Sequence, residues 1–410
     1  MHVPVWHEAT KKWQEQGRIQ MAGIIEEQHP DRARLFMQWK QMHWPILVDS
    51  LDLLGVPVVP ITLAIDEYGV IRMVNPKPEE LEEKFLNRTF ERPASLSGVR
   101  DREPDLDTLK QATRRDTVET WSAYANALVE WGGPKRATEA IEAYQHALRL
   151  EPESGALHFR LGGAYRKRYD SDFRQPEDFQ KAVEQWNAAL QVNPNQYIWR
   201  RRIQQYGPRL DKPYSFYDWV TTARKEIAAR GETPAPLSVE PASAEIAYPE
   251  KTFSAAQTSV KEPDPQGRIL RDDGQFVKVE TAVVPDTRAA EVSDRVHVIF
   301  RPNLAKKVHW NNEAGNMVFW VSPPDGWKVN QRLITIPNPH ETVSKEQREV
   351  EFEVRGPERS QARAVTVPAY ALYYVCEDVN GVCMYRRQDL RITIAPHESE
   401  RRDQSEPPPD

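Results

Sequence analysis

The spacing of apolar positions changes its period several times along this chain, and each change marks a boundary. In residues 17–74 a short apolar run, Ile19 to Ile25, precedes a charged helical stretch around Asp31 to Met42, and two more apolar runs follow, Pro45-Ile-Leu-Val48 and Ile61-Thr-Leu-Ala-Ile65. Asp66-Glu-Tyr-Gly69 then reverses the chain into Val70-Ile-Arg-Met-Val74, because glycine after an acidic residue favours the tight turn of a hairpin. Residues 1–74 therefore read as an α/β domain, and the polar, proline-interrupted residues 75–107 as a linker. Residues 108–228 carry the helical period. Residues 229–262, rich in Pro, Ala, Ser and Glu without any period, form a second linker. From 263 to 395 the period drops to two in the runs 296–300, 317–321, 350–354, 362–367, 371–375 and 389–394. Short alternating runs separated by Pro, Asn and Gly turns predict an all-β sandwich. Residues 396–410, charged and proline-rich, read as a disordered tail.

The helical segment contains an internal repeat. Ala140, Tyr144, Ala147 and Pro152 recur as Ala182, Trp186, Ala189 and Pro194, each displaced by 42 residues. Between them, His158, Leu161, Gly162 and Tyr165 resemble the first-helix positions of a tetratricopeptide repeat, where a small residue lets a second helix pack closely. The match places about eight extra residues within 166–181 relative to the usual 34. A first repeat fits from Trp121 and Ala125 to Pro152, with about three extra near Gly132-Gly-Pro134. An aromatic and arginine-rich stretch closes the array, with Trp199, Tyr206, Phe216 and Trp219 as candidate partner-binding side chains. The competing expectation is a capping helix whose aromatics pack on the last repeat. Arg200, Arg201 and Arg202 read as a solvated helix face or end rather than a phosphate site.

Charge and composition remove several function classes. A net charge of -6 supplies no basic field for nucleic acid or an anionic membrane. No run approaches the roughly 20 apolar residues that span a bilayer. The first residues, MHVPVWHEATKKW, lack the basic-then-apolar order of a signal peptide. With 33 prolines against 18 glycines, long connections between folded units are expected. Only two cysteines are present, which excludes a disulfide-dense scaffold, a four-cysteine zinc site and an iron-sulfur protein. No cofactor-binding or metal-binding residues are assigned.

Cys376 and Cys383 bracket Glu-Asp-Val-Asn-Gly-Val between two predicted strands, so pairing of those strands would bring the two to the α-carbon separation of about 5.5 to 6 Å that a disulfide needs. Three readings stay open: a static staple, a redox-exchanging pair, and two unrelated thiols or a metal site. Metal is the weakest, because no His-x-x-x-His or second CxxC accompanies the pair. Glu377 and Asp378 would raise a thiol pKa there, and Arg386 and Arg387 would lower it.

Tyr373-Tyr-Val-Cys376 with Cys383 following, preceded by Val308-His-Trp-Asn-Asn312, resembles the amino-terminal periplasmic domain of the thiol:disulfide interchange protein DsbD. That resemblance implies an immunoglobulin-like sandwich over 263–395 and thiol-disulfide exchange at Cys376 and Cys383. The loop between the cysteines is slightly longer here, and the family's transmembrane donor is missing, so a membrane electron donor or a thioredoxin-like partner would be another chain. Val56-Pro-Val-Val-Pro60 followed by Ile61 to Ile71 resembles the thioredoxin-like fold of the TlpA and redoxin type, with Pro60 at the cis-proline position. Pro4 matches a proline that follows the family's CxxC, so this domain reads as incomplete, lacking its first strand and redox motif. Either the true start lies upstream, with an export signal, or the domain is a non-catalytic relic. His7, His29 and His43 read as surface or partly packed, not as substitutes for the cysteines.

The expectation is thus a multidomain chain: an incomplete α/β thioredoxin-like domain, all-α tetratricopeptide-type repeats and an all-β immunoglobulin-like sandwich. Its expected role is that of an extracytoplasmic, periplasmic redox-associated protein that exchanges disulfides with partner proteins. The alternative is a non-catalytic scaffold with a structural disulfide.

Overall fold

The computed structural model describes residues 2–56, 59–94, 103–208, 219–239, 253–256, 259–287, 289, 291–358, 363–378 and 381–395. It is a mixed helix and sheet structure in two compact units. The first comprises Met1–Phe173, Ala188–Arg202 and Tyr214–Pro241, and the second Arg174–Asn187, Ile203–Pro213 and Ala242–Asp410. The predicted tail at 396–410 and residues 240–252 and 257–258 of the predicted linker at 229–262 lie outside the described residues.

In the first unit, α1 (His2–Glu15) turns Trp6 and Trp13, two helical turns apart, into one small core. The predicted α/β pattern follows as β1 (Gly23–Ile25), α2 (Asp31–Lys40), β2 (Ile46–Val48), β3 (Leu63–Ile65) and β4 (Ile71–Val74). β1 and β2 are parallel, with Gly23 opposite Ile46, and β3 and β4 form a separate antiparallel pair. The hairpin turn lies where the sequence places it. Asp66 Oδ1 accepts from the amides of Tyr68 and Val70, and Gly69 supplies the left-handed backbone at φ 79°. The stretch assigned as a linker from residue 75 is ordered at its start: a turn of 3-10 helix, Pro78–Glu80, and a π-type turn, Glu82–Leu86, flank Leu81. Leu81 packs with Trp6, Trp13 and Ala64, so apolar residues at 81, 85 and 86 complete this core instead of spacing two domains.

The helical segment begins with α3 (Leu106–Ala112), then α4 (Val118–Trp131), α5 (Ala137–Leu150) and α6 (Gly155–Tyr169), where α4 packs on α5 and α5 on α6. α4 starts at a capping box in which the Thr117 and Thr120 side chains bond each other's backbone amides. α7 (Asp178–Val192) and α8 (Tyr197–Gln204) contribute residues to both units, and α9 (Trp219–Ala229) belongs to the first. The repeated positions Ala140, Tyr144 and Ala147 in α5 and Ala182, Trp186 and Ala189 in α7 are all fully buried. Residues 170–177 connect α6 to α7. Val220, Ala223 and Ile227 of α9 pack on Leu35 of α2.

The second unit is built on two sheets over one core. Its strands are β5 (Val277–Pro285), β6 (Glu291–Pro302), β7 (Val308–Asn311), β8 (Met317–Val321), β9 (Lys328–Val329), β10 (Leu333–Ile336), β11 (Val343–Ser344), β12 (Arg348–Glu358), β13 (Val365–Glu377) and β14 (Cys383–Ile394). One sheet runs β10-β8-β13-β7-β11 with β14 also paired to β13, and the other runs β5-β6-β12-β9. Val296, Val298 and Phe300 of β6 and Phe352 of β12 meet Trp310, Phe319 and Tyr373 of the larger sheet in a single cluster. Even-numbered β6 and β12 positions thus face the core, as a period of two requires.

From Val365 on, the runs at 362–367 and 371–375 belong to a single strand, β13, which continues through Pro368, and residue 362 lies outside the described residues. Pro368 faces Arg391 at a position that makes no ladder bond toward β14, and on its other side the Ser322 amide, one residue past the end of β8, donates to the Pro368 carbonyl at 2.9 Å. The missing N–H therefore forgoes only the reciprocal bond at the last pair of the β8 ladder, where a proline is tolerated.

Candidate functional site

β13 and β14 stay in register from Val365 opposite Ile394 to Cys376 opposite Cys383. The two cysteines are bonded, with an S–S distance of 2.01 Å and a Cα separation of 4.0 Å. That separation is shorter than the sequence suggested, for a reason in the ladder. The Glu377 amide donates to the Val382 carbonyl at 3.0 Å, so Glu377 and Val382 are the hydrogen-bonded pair. Cys376 and Cys383 are then a non-hydrogen-bonded pair, the closer of the two antiparallel types. Gly381, at φ 60°, turns the chain back into β14.

Strand alternation fixes what surrounds the bond. Val375 and Tyr373 point into the core, so Cys376, Tyr374 and Leu372 point to the outer face. Across the strands the same face carries His309 opposite Cys376, and Tyr385 opposite Tyr374 with their rings stacked at 4.3 Å. Cys376 is buried, at 4% exposure, whereas Cys383 is exposed. His309 Nδ1 lies 2.6 Å from Asp378 Oδ1, and Lys345 Nζ lies 2.7 Å from Asp378 Oδ2. Lys345 first, then His309, hold the Asp378 carboxyl below its usual range. The Asp378 amide also donates to the Lys307 carbonyl at 2.7 Å, which anchors the turn beside the disulfide.

The motif Val308-His-Trp-Asn-Asn312 divides its side chains between faces. His309 is on the disulfide face, and Trp310 is buried in the core with its indole N–H donated to the Glu346 carbonyl at 2.9 Å. Asn312 Nδ2 donates to the Ser344 hydroxyl and the Glu341 carbonyl, both at 2.8 Å. Beneath the cysteines, the Tyr373 hydroxyl donates to Asp272 Oδ2 at 2.7 Å, and burial pushes its pKa up.

Arg386 and Arg387 do not act on the sulfurs as the sequence suggested. Arg386 lies three residues from Cys383, hence on the opposite face, and donates to the Tyr385 carbonyl. Arg387 shares the disulfide face but is held at Asp264 and Asp389 and over the Tyr370 ring at 3.7 Å. The cationic groups around the turn are instead Lys345 and, when protonated, His309.

The Val59–Pro60 peptide bond is cis. Among the partner-binding candidates, Phe216 lies outside the described residues. Trp199 and Tyr206 are interior and offer no docking surface. Trp199 is stacked on Phe159 and donates to Asp52 Oδ2 at 2.9 Å, and Tyr206 is stacked on Trp186 at 5.5 Å. Trp219 is half-buried against Trp39 and Phe36. Arg202, expected on a solvated face, is 1% exposed, and its guanidinium donates to Gln28 Oε1 and the Ser50 carbonyl. His7 stacks on Trp44, His43 is exposed, and His29 is largely buried, with its pKa lowered by burial to about 4.

The sequence reading missed a second cluster of chemically capable side chains, His297, Glu349 and Glu351, whose potential ligand atoms all lie within 4.8 Å of one another. Glu349 and Glu351 are two apart on β12, and His297 stands directly opposite Glu351 on β6. The spacing of the two glutamates signals one face of a strand. Nothing local signals a histidine 52 residues away.

No protein-family model matches the chain, and no curated protein does. Among the solved structures that match is the crystal structure of BslA, a bacterial hydrophobin, which is 12% identical and aligns over 30% of this chain and 96% of its own at a TM-score of 0.15. Likeness at that level carries no argument about fold or function. No helix among the described residues is long and apolar enough to cross a membrane.

Proposed function

We propose that this chain is an extracytoplasmic redox-associated protein that exchanges disulfides with partner proteins through Cys376 and Cys383. In this reading the two-sheet domain is DsbD-amino-terminal-like, the helical hairpins are tetratricopeptide-type repeats that bind protein, and the α/β segment is thioredoxin-like with Pro60 at its cis-proline position. The observation that carries the exchange is the asymmetry of the pair, with Cys383 exposed and Cys376 buried.

A thiolate of a partner dithiol protein attacks Cys383 Sγ. The Cys376–Cys383 bond breaks, a mixed disulfide forms with Cys383, and the electron pair leaves on Cys376 Sγ. The partner's second thiolate then attacks the partner's own bonded sulfur and releases Cys383. The partner is oxidised to a disulfide and this chain is reduced to a dithiol, two electrons having passed. The reverse sequence delivers them to another disulfide. The Cys376 thiolate is released opposite His309, whose partner Asp378 also holds Lys345.

A staple is the second reading, favoured by the burial of Cys376. It is weakened by the ladder itself, because the bond joins residues already opposed at the end of a continuous hairpin. Closing so short a loop contributes only about 2 kcal/mol in the chain-entropy account. The test is the pair's reduction potential together with trapping. Exchange predicts a potential above about -300 mV, and a mixed disulfide with a thioredoxin-like protein supplied in its disulfide form in Cys376→Ser, whose remaining Cys383 thiolate attacks that disulfide, but not in Cys383→Ser. A potential well below that value, with no adduct in either variant, would leave the scaffold reading.

A further inference from the structure

We propose that the imidazole of His309, positioned by Asp378, stabilises the Cys376 thiolate released when the disulfide opens, and so makes that opening depend on pH. The function of this device rests on the exchange reading, but its geometry rests on the sheet alone. Strand pairing brings the groups into one row across the outer face. Cys383 stands opposite Cys376, and Cys376 stands opposite His309. β11 pairs with β7 as Ser344 opposite Trp310, so the next step of that register sets Lys345 beside His309. The Asp378 amide donates to the Lys307 carbonyl, which makes those two residues a hydrogen-bonded pair. Cys376 and His309, two residues along each strand, are then another such pair, with α-carbons about 5.5 Å apart and both side chains on the same face.

Charge decides what the row does. His309 Nδ1 lies 2.6 Å from Asp378 Oδ1, and a carboxylate oxygen only accepts, so Nδ1 keeps a proton in either state of the ring. Lys345 Nζ lies 2.7 Å from Oδ2 of the same carboxylate. With an imidazolium, two cations share one anion and a positive charge is left over. With a neutral imidazole, Lys345 and Asp378 cancel and nothing is left over. A thiolate on Cys376 is therefore balanced in the first state and stands uncompensated in the second. The difference matters because Cys376 is 4% exposed, and burial disfavours a thiolate that no opposite charge meets. Other charged groups nearby do not take this place. Lys307 is exposed, Glu377 has the opposite strand parity, and Arg387 is paired with Asp264 and Asp389. In the row only an imidazole changes charge between about pH 5 and 8. When a partner thiolate bonds to Cys383 Sγ, the electron pair of the broken bond goes to Cys376 Sγ beside that imidazolium, and no proton has to move.

The test titrates Cys376 directly, in the full chain carrying Cys383→Ser, by the ultraviolet absorbance of its thiolate. Adding His309→Asn keeps a side-chain N–H for Asp378 and removes the charge, whereas adding His309→Lys keeps a charge and removes the imidazole. The thiolate should form at least about one pH unit lower with His309 than with His309→Asn, as an opposite charge within about 6 Å requires. His309→Lys should keep the low value. In the chain with both cysteines, the rate of disulfide reduction by dithiothreitol, divided by the reductant's thiolate fraction, should fall at least about threefold from pH 5 to 8 and stay level in His309→Asn. Cys376 titrations that agree within about 0.3 pH unit with and without His309, or that rise equally in His309→Asn and His309→Lys, would overturn the proposal, the second because the ring would then act by packing. Neither measurement uses a protein partner, so failure to trap a mixed disulfide would remove the exchange reading and leave this result standing, and the converse holds as well.

Discussion

The segment that follows β1 carries two titratable groups whose burial acts in opposite directions with pH. Burial, reinforced by Asp49 and Asp52 and opposed by Arg202, raises Glu26 to about 8, and its Oε2 has no hydrogen-bond partner among the described residues. Burial lowers His29 to about 4, against the pull of the Asp170 carboxylate 3.7 Å away. From pH 4.5 to 8 the native state holds the Glu26 proton that the unfolded chain releases, so this contribution is complete below 4.5 and is lost as pH rises through 8. At about 1.4 kcal/mol per pH unit the unscreened limit approaches 5 kcal/mol, and because Glu26 is only half buried we take about 2 kcal/mol. His29 has the opposite sign. The unfolded chain takes up a proton below about 6.5 that native His29 refuses until about 4, so stability falls by about 2 to 3 kcal/mol as pH drops across that window. The two slopes oppose each other between pH 4.5 and 6.5, and above 6.5 only the decline due to Glu26 remains. Glu26→Gln should therefore gain stability relative to the parent by about 2 kcal/mol as pH rises from 4.5 to 8, and His29→Gln should remove the acid-side loss. Native-state hydrogen exchange over residues 19–52, with urea titration at each pH, reads the effect in this unit. A difference between Glu26→Gln and parent that stays constant within about 0.5 kcal/mol over that range would refute the burial argument, since it requires a shift of less than half a pH unit.

Two further substitutions test packing and the disulfide. The double variant Cys376→Ala, Cys383→Ala should lose about 2 kcal/mol or less in urea unfolding, because the ladder on either side persists, and a loss above about 4 kcal/mol would mark the bond as a staple. Trp199→Phe should cost about 1.5 to 3 kcal/mol by removing the N–H held by buried Asp52, and a double-mutant cycle with Asp52→Asn that shows no coupling would discount that bond.

The parts of the fold legible in the sequence were those that local period decides. The recurrence at 42 residues marked Ala140, Tyr144 and Ala147, with Ala182, Trp186 and Ala189, as equivalent buried positions before any partner was known. The turn at Asp66 to Gly69 was equally local, because its hydrogen bonds close within five residues. What period cannot supply is the element that covers a face. Arg202 sits in a run of three arginines that reads as solvated, yet Gln28 and Ser50, more than 150 residues earlier, provide its acceptors. Gly155 shows the same limit. Its missing side chain matters because a Cβ there would stand 2.6 Å from the Trp199 ring, which no local pattern announces.

The charge environment of the disulfide lies between these cases. Cysteine spacing and flanking strands located the bond, but the assignment of Arg386 to it counted distance along the chain and ignored strand parity. In a strand, a residue three positions from Cys383 faces away from it, and one directly opposite Cys376 faces with it, whatever its sequence number. Counted by parity, Arg386 leaves the site and His309 enters it, across β13 from β14. Arg387 keeps the correct parity and is removed for a different reason, its pairing with Asp264 and Asp389. If exchange proceeds by attack at exposed Cys383, the group positioned to meet the charge released on Cys376 is therefore His309, set by the strand pairing of Val308-His-Trp-Asn-Asn312 and held by Asp378. Neither arginine adjacent to the cysteines in sequence can replace it, because one faces the core side of β14 and the other is already neutralised.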